Sequence, residues 1–300
     1  MDLGQIIALG NGAMILGFGT YMVVKRKRAG NEITAVLPLT GSIVSNNTPG
    51  KISSKKVIGT LEGLIKNKKI KGIIFDINSG GGVVYQSREI AEYIEHKVKI
   101  PTVALARDVC ASGAYMIACA TDSIIAREES AVGSIGVITA HFAAGGLLEK
   151  LGVKYQITKA GKNKDSHMPF NELTPEQEEI TRGQINTIYD IFVDYVQRRR
   201  EGTLGGKIFT NEGHLNRLAT GDIFFGKEAF RSGLIDHIGS LDKAVEVLEE
   251  IGNFKHSFLY HVPERMGLLQ SMGFRAGTSI GSGIANGIIS SISEQNKTTY

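Results

Sequence analysis

The sequence predicts an α/β fold with a largely parallel sheet, preceded by a membrane-spanning helix. Short apolar runs alternate with amphipathic stretches of helical period, which is typical of strands alternating with helices. A long apolar segment near the N-terminus, at residues 6–24, predicts the membrane helix. With 300 residues, of which 42% are hydrophobic, the chain is long enough to bury a sizeable core.

The segment at residues 6–24 is predicted to be an uncleaved membrane anchor. It is long enough to cross a bilayer, and no charge interrupts it. A cleaved signal peptide carries its positive charges before the apolar run, whereas here Asp2 precedes it and the basic run at residues 25–28 follows it. Because basic flanks stay on the cytoplasmic side, the rest of the chain is expected there. The alternative is a buried helix of a soluble protein.

After the basic run, the apolar pattern predicts the elements of the α/β fold. Strands are expected at residues 33–39, 72–77, 102–106, 123–126 and 137–138, and helices at 53–66, 87–97, 112–120 and 174 to about 200. Thr174, Pro175 and Gln177 form an N-cap signature for the last helix. In open α/β sheets, sites are built where strands pass into helices, and two glycine-rich turns lie at such points.

The composition argues against nucleic-acid, disulfide and metal sites. The net charge is +4, and much of the excess lies in the basic run rather than in a basic stripe interleaved with aromatics. The two cysteines, Cys110 and Cys119, are predicted to lie nine residues apart on one helix, too far apart for a disulfide bond. No zinc-ligand spacing occurs, and neither a metal nor a cofactor is expected.

Ser112 is the first candidate catalytic residue. It lies between Ala111 and Gly113 at a predicted strand-to-helix turn, where small neighbours let a substrate carbonyl approach the hydroxyl. The backbone N–H of Gly113, at a helix start, can stabilise a developing oxyanion. A plain N-cap serine is the alternative. Cys110 is a rival nucleophile, but it has no evident histidine or asparagine partner and is expected in the core.

The glycine triplet at residues 80–82 supplies a second possible N–H donor. A backbone without side chains lets an extended peptide lie beside it, and Gly81, Val83 and Val84 are expected to contact that peptide. A phosphate-binding loop and a simple turn are the alternatives. The phosphate loop requires Gly-Lys-Ser/Thr next, whereas Val83 and Val84 stand there.

The general base is less evident from the residues themselves. His141 and His167 follow Ser112 in the chain, but neither has a clear carboxylate to orient it. Lys164 is the other candidate. Its pKa, ordinarily about 10.4, would have to fall by several units through burial before the amine could accept a proton near neutral pH. A solvated loop lysine is the alternative.

These motifs resemble the signal peptide peptidase A family of the Clp/crotonase superfamily. The resemblance covers roughly residues 33–250. It is carried, in family order, by Asp-Ile-Asn-Ser-Gly-Gly-Gly at 76–82, Ala-Ser-Gly-Ala-Tyr at 111–115, Val-Gly-Ser-Ile-Gly-Val at 132–137, Gly-Lys-Asn-Lys-Asp at 161–165 with Pro169, and the pair of motifs at 226–229 and 233–236.

The resemblance implies a ββα superhelical fold of the Clp/crotonase type and a Ser–Lys dyad. Ser112 aligns with the nucleophile and Lys164 with the general base. The oxyanion hole would consist of the N–H of Gly113 and that of Gly82 or Gly81. Family members assemble into rings, in which the lysine can come from a neighbouring subunit, so a homo-oligomer is expected.

The implied function is that of a membrane-anchored serine endopeptidase. Its substrates would be extended apolar peptides, such as remnants of signal peptides or segments of membrane proteins. The expected organisation is an anchor with its basic flank at residues 1–30, a protease domain at 31–255 and an apolar, Gly/Ser-rich tail at 256–300. A crotonase-type acyl-CoA enzyme and a non-catalytic membrane scaffold are the alternatives.

Two features depart from the family pattern. Gly80 stands where the family usually has proline, which is expected to loosen the glycine loop. Family anchors commonly hold the protease outside the cytoplasm, whereas the basic flank at 25–28 favours the cytoplasmic side.

Overall fold

The computed structural model describes residues 32–201, 214–255 and 257–263. Within these ranges, no helix combines the length and the apolar character that a membrane crossing requires. The predicted anchor at residues 6–24 and the greater part of the predicted tail lie outside the described residues.

The described residues alternate between strands and helices, as the sequence predicts. The strands are β1 (Ile33–Thr40), β2 (Ile70–Ser79), β3 (Thr102–Ala111), β4 (Ser123–Ala126), β5 (Ala131–Gly133), β6 (Ile223–Phe225), β7 (His237–Ile238) and β8 (Phe258–His261). The helices are α1 (Ser54–Lys66), α2 (Val84–Lys97), α3 (Gly113–Cys119), α4 (Gly145–Lys150), α5 (Pro175–Arg200), α6 (His214–Leu218), α7 (Gly226–Arg231) and α8 (Leu241–Gly252).

The strands form one mixed sheet. Its order is β6-β5-β3-β2-β1-β8, and β4 pairs with both β3 and β7. Every neighbouring pair is parallel except β5 with β6. The prediction of an α/β fold with a largely parallel sheet is therefore confirmed. Because β8 pairs with β1, the sheet extends past residue 255 into the segment predicted as tail.

Strand β3 divides between two partners, and this division positions the end of the strand. Residues Val103 to Ala106 pair with β4, whereas Val109 to Ala111 pair with β5. β2 lies along the other edge of β3 over both parts, with a register shift near its end. The residue that follows Ala111 is thus held between the ends of β2 and β5.

The core lies on both sides of this sheet. Helix α8 packs on one side, where its apolar residues join a cluster with residues of the central strands, namely Val36, Ile74, Val103, Leu105, Ile125, Ala244, Val247 and Leu248. Helix α3 is buried along its whole length and packs against α2, α5 and β3. A helix that is apolar on all sides belongs in the interior of a large domain.

The long helix α5 is fixed at both ends. Thr174 and Gln177 form the predicted capping box at its start. At its end, Arg198 pairs with Glu95 of α2, and Arg199 donates to the last carbonyls of α3. Arg200 is 1% exposed and pairs with the equally buried Asp236 at 2.9 Å. Three consecutive arginines therefore tie one helix to three separate parts of the fold.

Two local predictions were wrong. Residues 137 and 138 form no strand; the strand that follows β4 is β5, earlier in the chain, because its residues complete the far end of β3. The cysteines do not share a helix: Cys110 is in β3 and Cys119 ends α3. Both are buried, and neither forms a disulfide bond.

Candidate active site

Ser112 sits at a strained turn between β3 and α3. Its φ is 53° and its ψ is −126°, a conformation that costs a non-glycine residue on the order of 1–3 kcal/mol. The turn is held from both sides: the Ser112 N–H donates to the Gly133 carbonyl at 2.8 Å, and the Ser112 carbonyl accepts from the Met116 N–H at 3.0 Å. Ser112 is half-buried, and its hydroxyl has no hydrogen-bond partner among the described residues. The strain therefore presents an available hydroxyl at the end of the strand.

The glycine triplet at the end of β2 is clamped by Ile43. The Ile43 N–H donates to the Gly81 carbonyl at 2.9 Å, and the Val83 N–H donates to the Ile43 carbonyl at 3.0 Å. Gly81 and Gly82 have φ values of +91° and +152°. A Cβ on Gly82 would lie only 2.1 Å from the Ile43 carbonyl oxygen. Only glycine allows the loop to approach Ile43 this closely.

Two backbone N–H groups beside Ser112 are left without acceptors. Neither the Gly82 N–H nor the Gly113 N–H donates to any described group. A Cβ on Gly81 would lie 2.7 Å from the Gly113 nitrogen and 2.9 Å from Cβ of Ser112, so the glycine loop touches the serine turn. The Gly81 N–H itself donates to the Ser79 hydroxyl at 3.1 Å. Gly82 rather than Gly81 therefore has a donor available for a ligand.

A small pocket opens beside Ser112 and the two N–H groups. Val84 and Ser87 of α2, Met116 of α3 and Phe192 of α5 line it, together with Val137. Val84 lies at the start of α2 and is 38% exposed, and its neighbour Val83 is 39% exposed. The pocket is largely apolar, and Val84, one of the two exposed valines that the sequence predicts to contact a peptide, belongs to its lining.

Lys164 lies in an exposed turn and is not among the residues that line this pocket. Its backbone N–H donates to the Gly161 carbonyl at 3.2 Å. Two other lysines of the same segment are held by carboxylates: Lys159 pairs with Asp165, and Lys162 pairs with Glu176. Among the described residues, Lys164 has no such partner.

None of the remaining nucleophile and base candidates lines the Ser112 pocket. The Nε2 atom of His141 lies 2.6 Å from the Asn171 carbonyl, and His167 is exposed. Cys110 is fully buried, and burial raises the pKa of its thiol well above the usual range. A protonated, inaccessible thiol is a poor nucleophile.

Three residues of the site were not among the predicted site residues. Ser134 has a φ of 49° and donates its N–H to the Asp222 carbonyl at 2.7 Å, which fixes the turn after the Gly133 carbonyl that holds Ser112. Ile43 acts only through its backbone. Phe192 reaches the pocket from a helix eighty residues further along the chain. Of these, only Ser134 has a sequence signal, because it lies in the 132–137 motif that carries the family resemblance.

Comparison with protein families finds a match to peptidase family S49 over residues 94–255, more than half of the chain. This range includes Ser112, Gly113 and Lys164 and begins after the glycine triplet.

Individual relatives extend the match. A predicted protease of Methanocaldococcus jannaschii is 33% identical over 237 residues, covering 78% of this chain and 73% of the relative. A predicted signal peptide peptidase of Enterococcus faecium is 35% identical over 192 residues, covering 63% of this chain and 54% of the relative. Among solved structures, a mutant of a membrane-bound stomatin-specific protease in complex with a substrate peptide matches with a TM-score of 0.52 and 15% identity, over 80% of this chain and 97% of the other.

Proposed function

This chain belongs to peptidase family S49, a family of serine proteases, and from that premise we propose that it is a membrane-anchored endopeptidase with a Ser–Lys dyad of the Clp/crotonase type. Ser112 is the nucleophile, Lys164 is the general base, and the N–H groups of Gly82 and Gly113 form the oxyanion hole. The observation that carries the proposal is the strained turn, which holds the Ser112 hydroxyl beside two N–H groups that have no other acceptor.

The chemistry follows from this arrangement. Neutral Lys164 takes the proton of the Ser112 hydroxyl as its oxygen attacks a peptide carbonyl. The carbonyl oxygen becomes an oxyanion between the Gly82 and Gly113 N–H groups, where each donor typically contributes about 10²–10³ in rate. The protonated lysine then gives its proton to the departing amine, which leaves an acyl ester on Ser112. A water molecule, deprotonated by the same lysine, hydrolyses the ester and restores the serine.

The surroundings of Lys164 support a base that acts on a neighbouring subunit. Lys164 is exposed and does not line the Ser112 pocket, yet a base must lie within hydrogen-bond reach of the proton it removes. The chain between the pocket and Lys164 exposes large apolar side chains, with Ile138 at 95%, Phe142 at 78% and Leu151 at 66%. Burial of this segment between subunits of a homo-oligomer would remove it from water and desolvate Lys164, which lowers the pKa of a lysine.

The edge of the glycine loop supports an extended, apolar peptide as substrate. Ile43 occupies one edge of the loop with two hydrogen bonds, which leaves the Gly82 N–H on the other. Exposed Val83 and Val84 adjoin it. A peptide can add to such an edge by main-chain hydrogen bonds. Remnants of signal peptides and segments of membrane proteins have this character, and an anchor at residues 6–24 would hold the enzyme near them.

The proposal is tested with the full chain in detergent. Ser112→Ala and Lys164→Ala should each abolish cleavage of an apolar fluorogenic peptide, whereas Lys162→Ala, which removes an ion-paired lysine of the same segment, should not. Wild type should be labelled at Ser112 by a fluorophosphonate, and a crotonase-type enzyme should not. Wild-type rates in either dyad variant would refute the assignment.

Co-expression of the two inactive variants tests the origin of the base. If Lys164 serves a neighbouring subunit, random assembly should restore about a quarter of the wild-type activity, because some Ser112 sites then receive an intact lysine. A mixture that stays inactive assigns the lysine to its own subunit.

The membrane side is a separate part of the proposal. The basic flank supports a cytoplasmic protease domain. In sealed, right-side-out vesicles the domain should therefore resist added protease until the membrane is opened, and digestion of intact vesicles would put it outside.

A further inference from the structure

We propose that the pocket beside Ser112 receives the P1 side chain of the substrate, and that Met116 and Phe192 restrict this side chain to the size of glycine, alanine or serine. The inference rests on the proposed function, because it assigns the substrate specificity of the same site. It predicts a peptidase that cleaves apolar segments at small residues.

The position of the pocket identifies the side chain that enters it. Ser112, Gly82 and Gly113 are all part of its lining, so it shares a wall with the nucleophile and with both N–H donors. When a scissile carbonyl carbon lies against Ser112 and its oxygen faces these donors, the adjoining Cα is that of P1. The P1 side chain is then the group within reach of this pocket.

The walls of the pocket leave little room. Met116, one turn after Ser112, is 2% exposed, and Phe192 is 3% exposed. Ser87, which also lines the pocket, is fully buried, and its Oγ would lie 2.2 Å from a Cβ on Gly113. The cavity that remains measures about 20 Å³, close to the space that one water molecule needs. A methyl or hydroxymethyl group is of this size, whereas the four carbons of a leucine side chain are not.

The walls are also held in place, so entry of a larger side chain would require an unfavourable displacement of packed residues. Met116 belongs to the wholly buried helix α3. Phe192 belongs to α5, which Arg198 ties to Glu95 and Arg199 ties to the end of α3. The Ser87 hydroxyl donates to the Val83 carbonyl at 3.0 Å, which links this wall of the pocket to the residue after the glycine triplet. Closely packed interiors resist enlargement.

The test measures P1 preference with a set of fluorogenic peptides that differ only at P1, as glycine, alanine, serine, leucine or phenylalanine. For wild type in detergent, kcat/KM for alanine should exceed that for leucine by about 100-fold or more, since a single methylene group changes discrimination about 10–200-fold. In Met116→Ala and in Phe192→Ala, the ratio of kcat/KM with alanine at P1 to kcat/KM with leucine at P1 should fall at least tenfold.

Leu248→Ala is the matched control. It makes a cavity of similar kind in the core against α8, away from the pocket. It should lower the melting temperature and leave the P1 ratio unchanged. If an alanine variant does not fold, Phe192→Leu, a smaller change, is used instead. The affinities of peptide aldehydes with alanine or leucine at P1 give a second measure of P1 preference that does not depend on turnover.

The outcomes separate this inference from the proposed function. Failure of Ser112 to react with a fluorophosphonate would overturn both. If Ser112 reacts and peptides are cleaved, but wild type prefers leucine or phenylalanine at P1, the size restriction is wrong and the peptidase stands. The same holds if the pocket variants change the P1 ratio no more than Leu248→Ala does.

Discussion

The glycine loop offers a paired test of the proposed oxyanion hole, because two of its glycines tolerate a side chain very differently. In Gly82→Ala the new Cβ would lie 2.1 Å from the Ile43 carbonyl oxygen, so the loop or Ile43 must shift by roughly 1 Å to restore normal contact. The φ of +152° at this position is also one that residues with side chains rarely adopt. The shift would break the hydrogen bond between Val83 and Ile43 and redirect the Gly82 N–H.

The expected cost is that of one oxyanion donor. Loss of such a donor lowers kcat by about 10²–10³, or roughly 2.7–4 kcal/mol of transition-state stabilisation. Because the donor acts on charge that develops during the reaction, kcat should fall while KM changes little. The assay is steady-state cleavage of a peptide with alanine at P1, with circular dichroism to verify folding.

Gly80→Ala is the control in the same loop. Nothing lies within 4 Å of a Cβ at Gly80, and its φ is not in the left-handed region. This variant should keep kcat within about threefold and gain about 0.4–1 kcal/mol of stability, because alanine restricts the unfolded chain. Wild-type kcat in Gly82→Ala, or equal losses in both variants, would refute the argument that Ile43 and the loop geometry set the Gly82 donor.

Three further predictions concern stability and thiol reactivity. Arg200→Met leaves Asp236 buried without its main partner and should lower the free energy of unfolding by about 3–5 kcal/mol. Thermal melts should show a fall in melting temperature of roughly 6–20 °C, which the added substitution Asp236→Leu should partly reverse. Burial is the largest single effect on the pKa of Glu95 and raises it, but the hydrogen bond from Arg198 and the electrostatic attraction of Arg199, Arg198 and His96 together outweigh burial, so the net pKa is lowered. The resulting stabilisation is present above the unfolded pKa of about 4.3 and is lost as pH falls through the folded value, so Glu95→Gln should melt with less acid dependence than wild type. Burial raises the pKa of Cys119 to about 11, so a thiol reagent at pH 8 should react with it only after denaturation, and rapid reaction of the folded protein would contradict this burial.

The parts of the site that depend on local backbone could be predicted from sequence. A predicted strand followed by Ala-Ser-Gly and a helical pattern predicts a tight turn between strand and helix. In the structure, Ser112 lies in such a turn and Gly113 begins the helix. The alternation of apolar runs likewise predicted most strands and the long helix with its Thr174 cap, because burial of one face imposes the periodicity.

Features that depend on distant contacts could not be predicted. Residues 137 and 138 are apolar enough for a strand, but the edge of β3 is already taken by β5. Ile43 contributes only backbone groups, and any residue type could supply them. Lys164 looks like an ordinary loop lysine in sequence and is exposed in the fold, so neither marks it as a base, and its proposed role comes from the family resemblance.

The clamp on the glycine loop also bears on how inhibitors should bind. Ile43 and Ser79 hold Gly81 from two directions, and both hydrogen bonds exist without a substrate. The N–H groups of Gly82 and Gly113 are thus positioned when the protein folds rather than when a ligand binds. A peptide aldehyde or boronic acid should consequently bind in a single fast phase, without the slow isomerisation that marks sites assembled by their ligand.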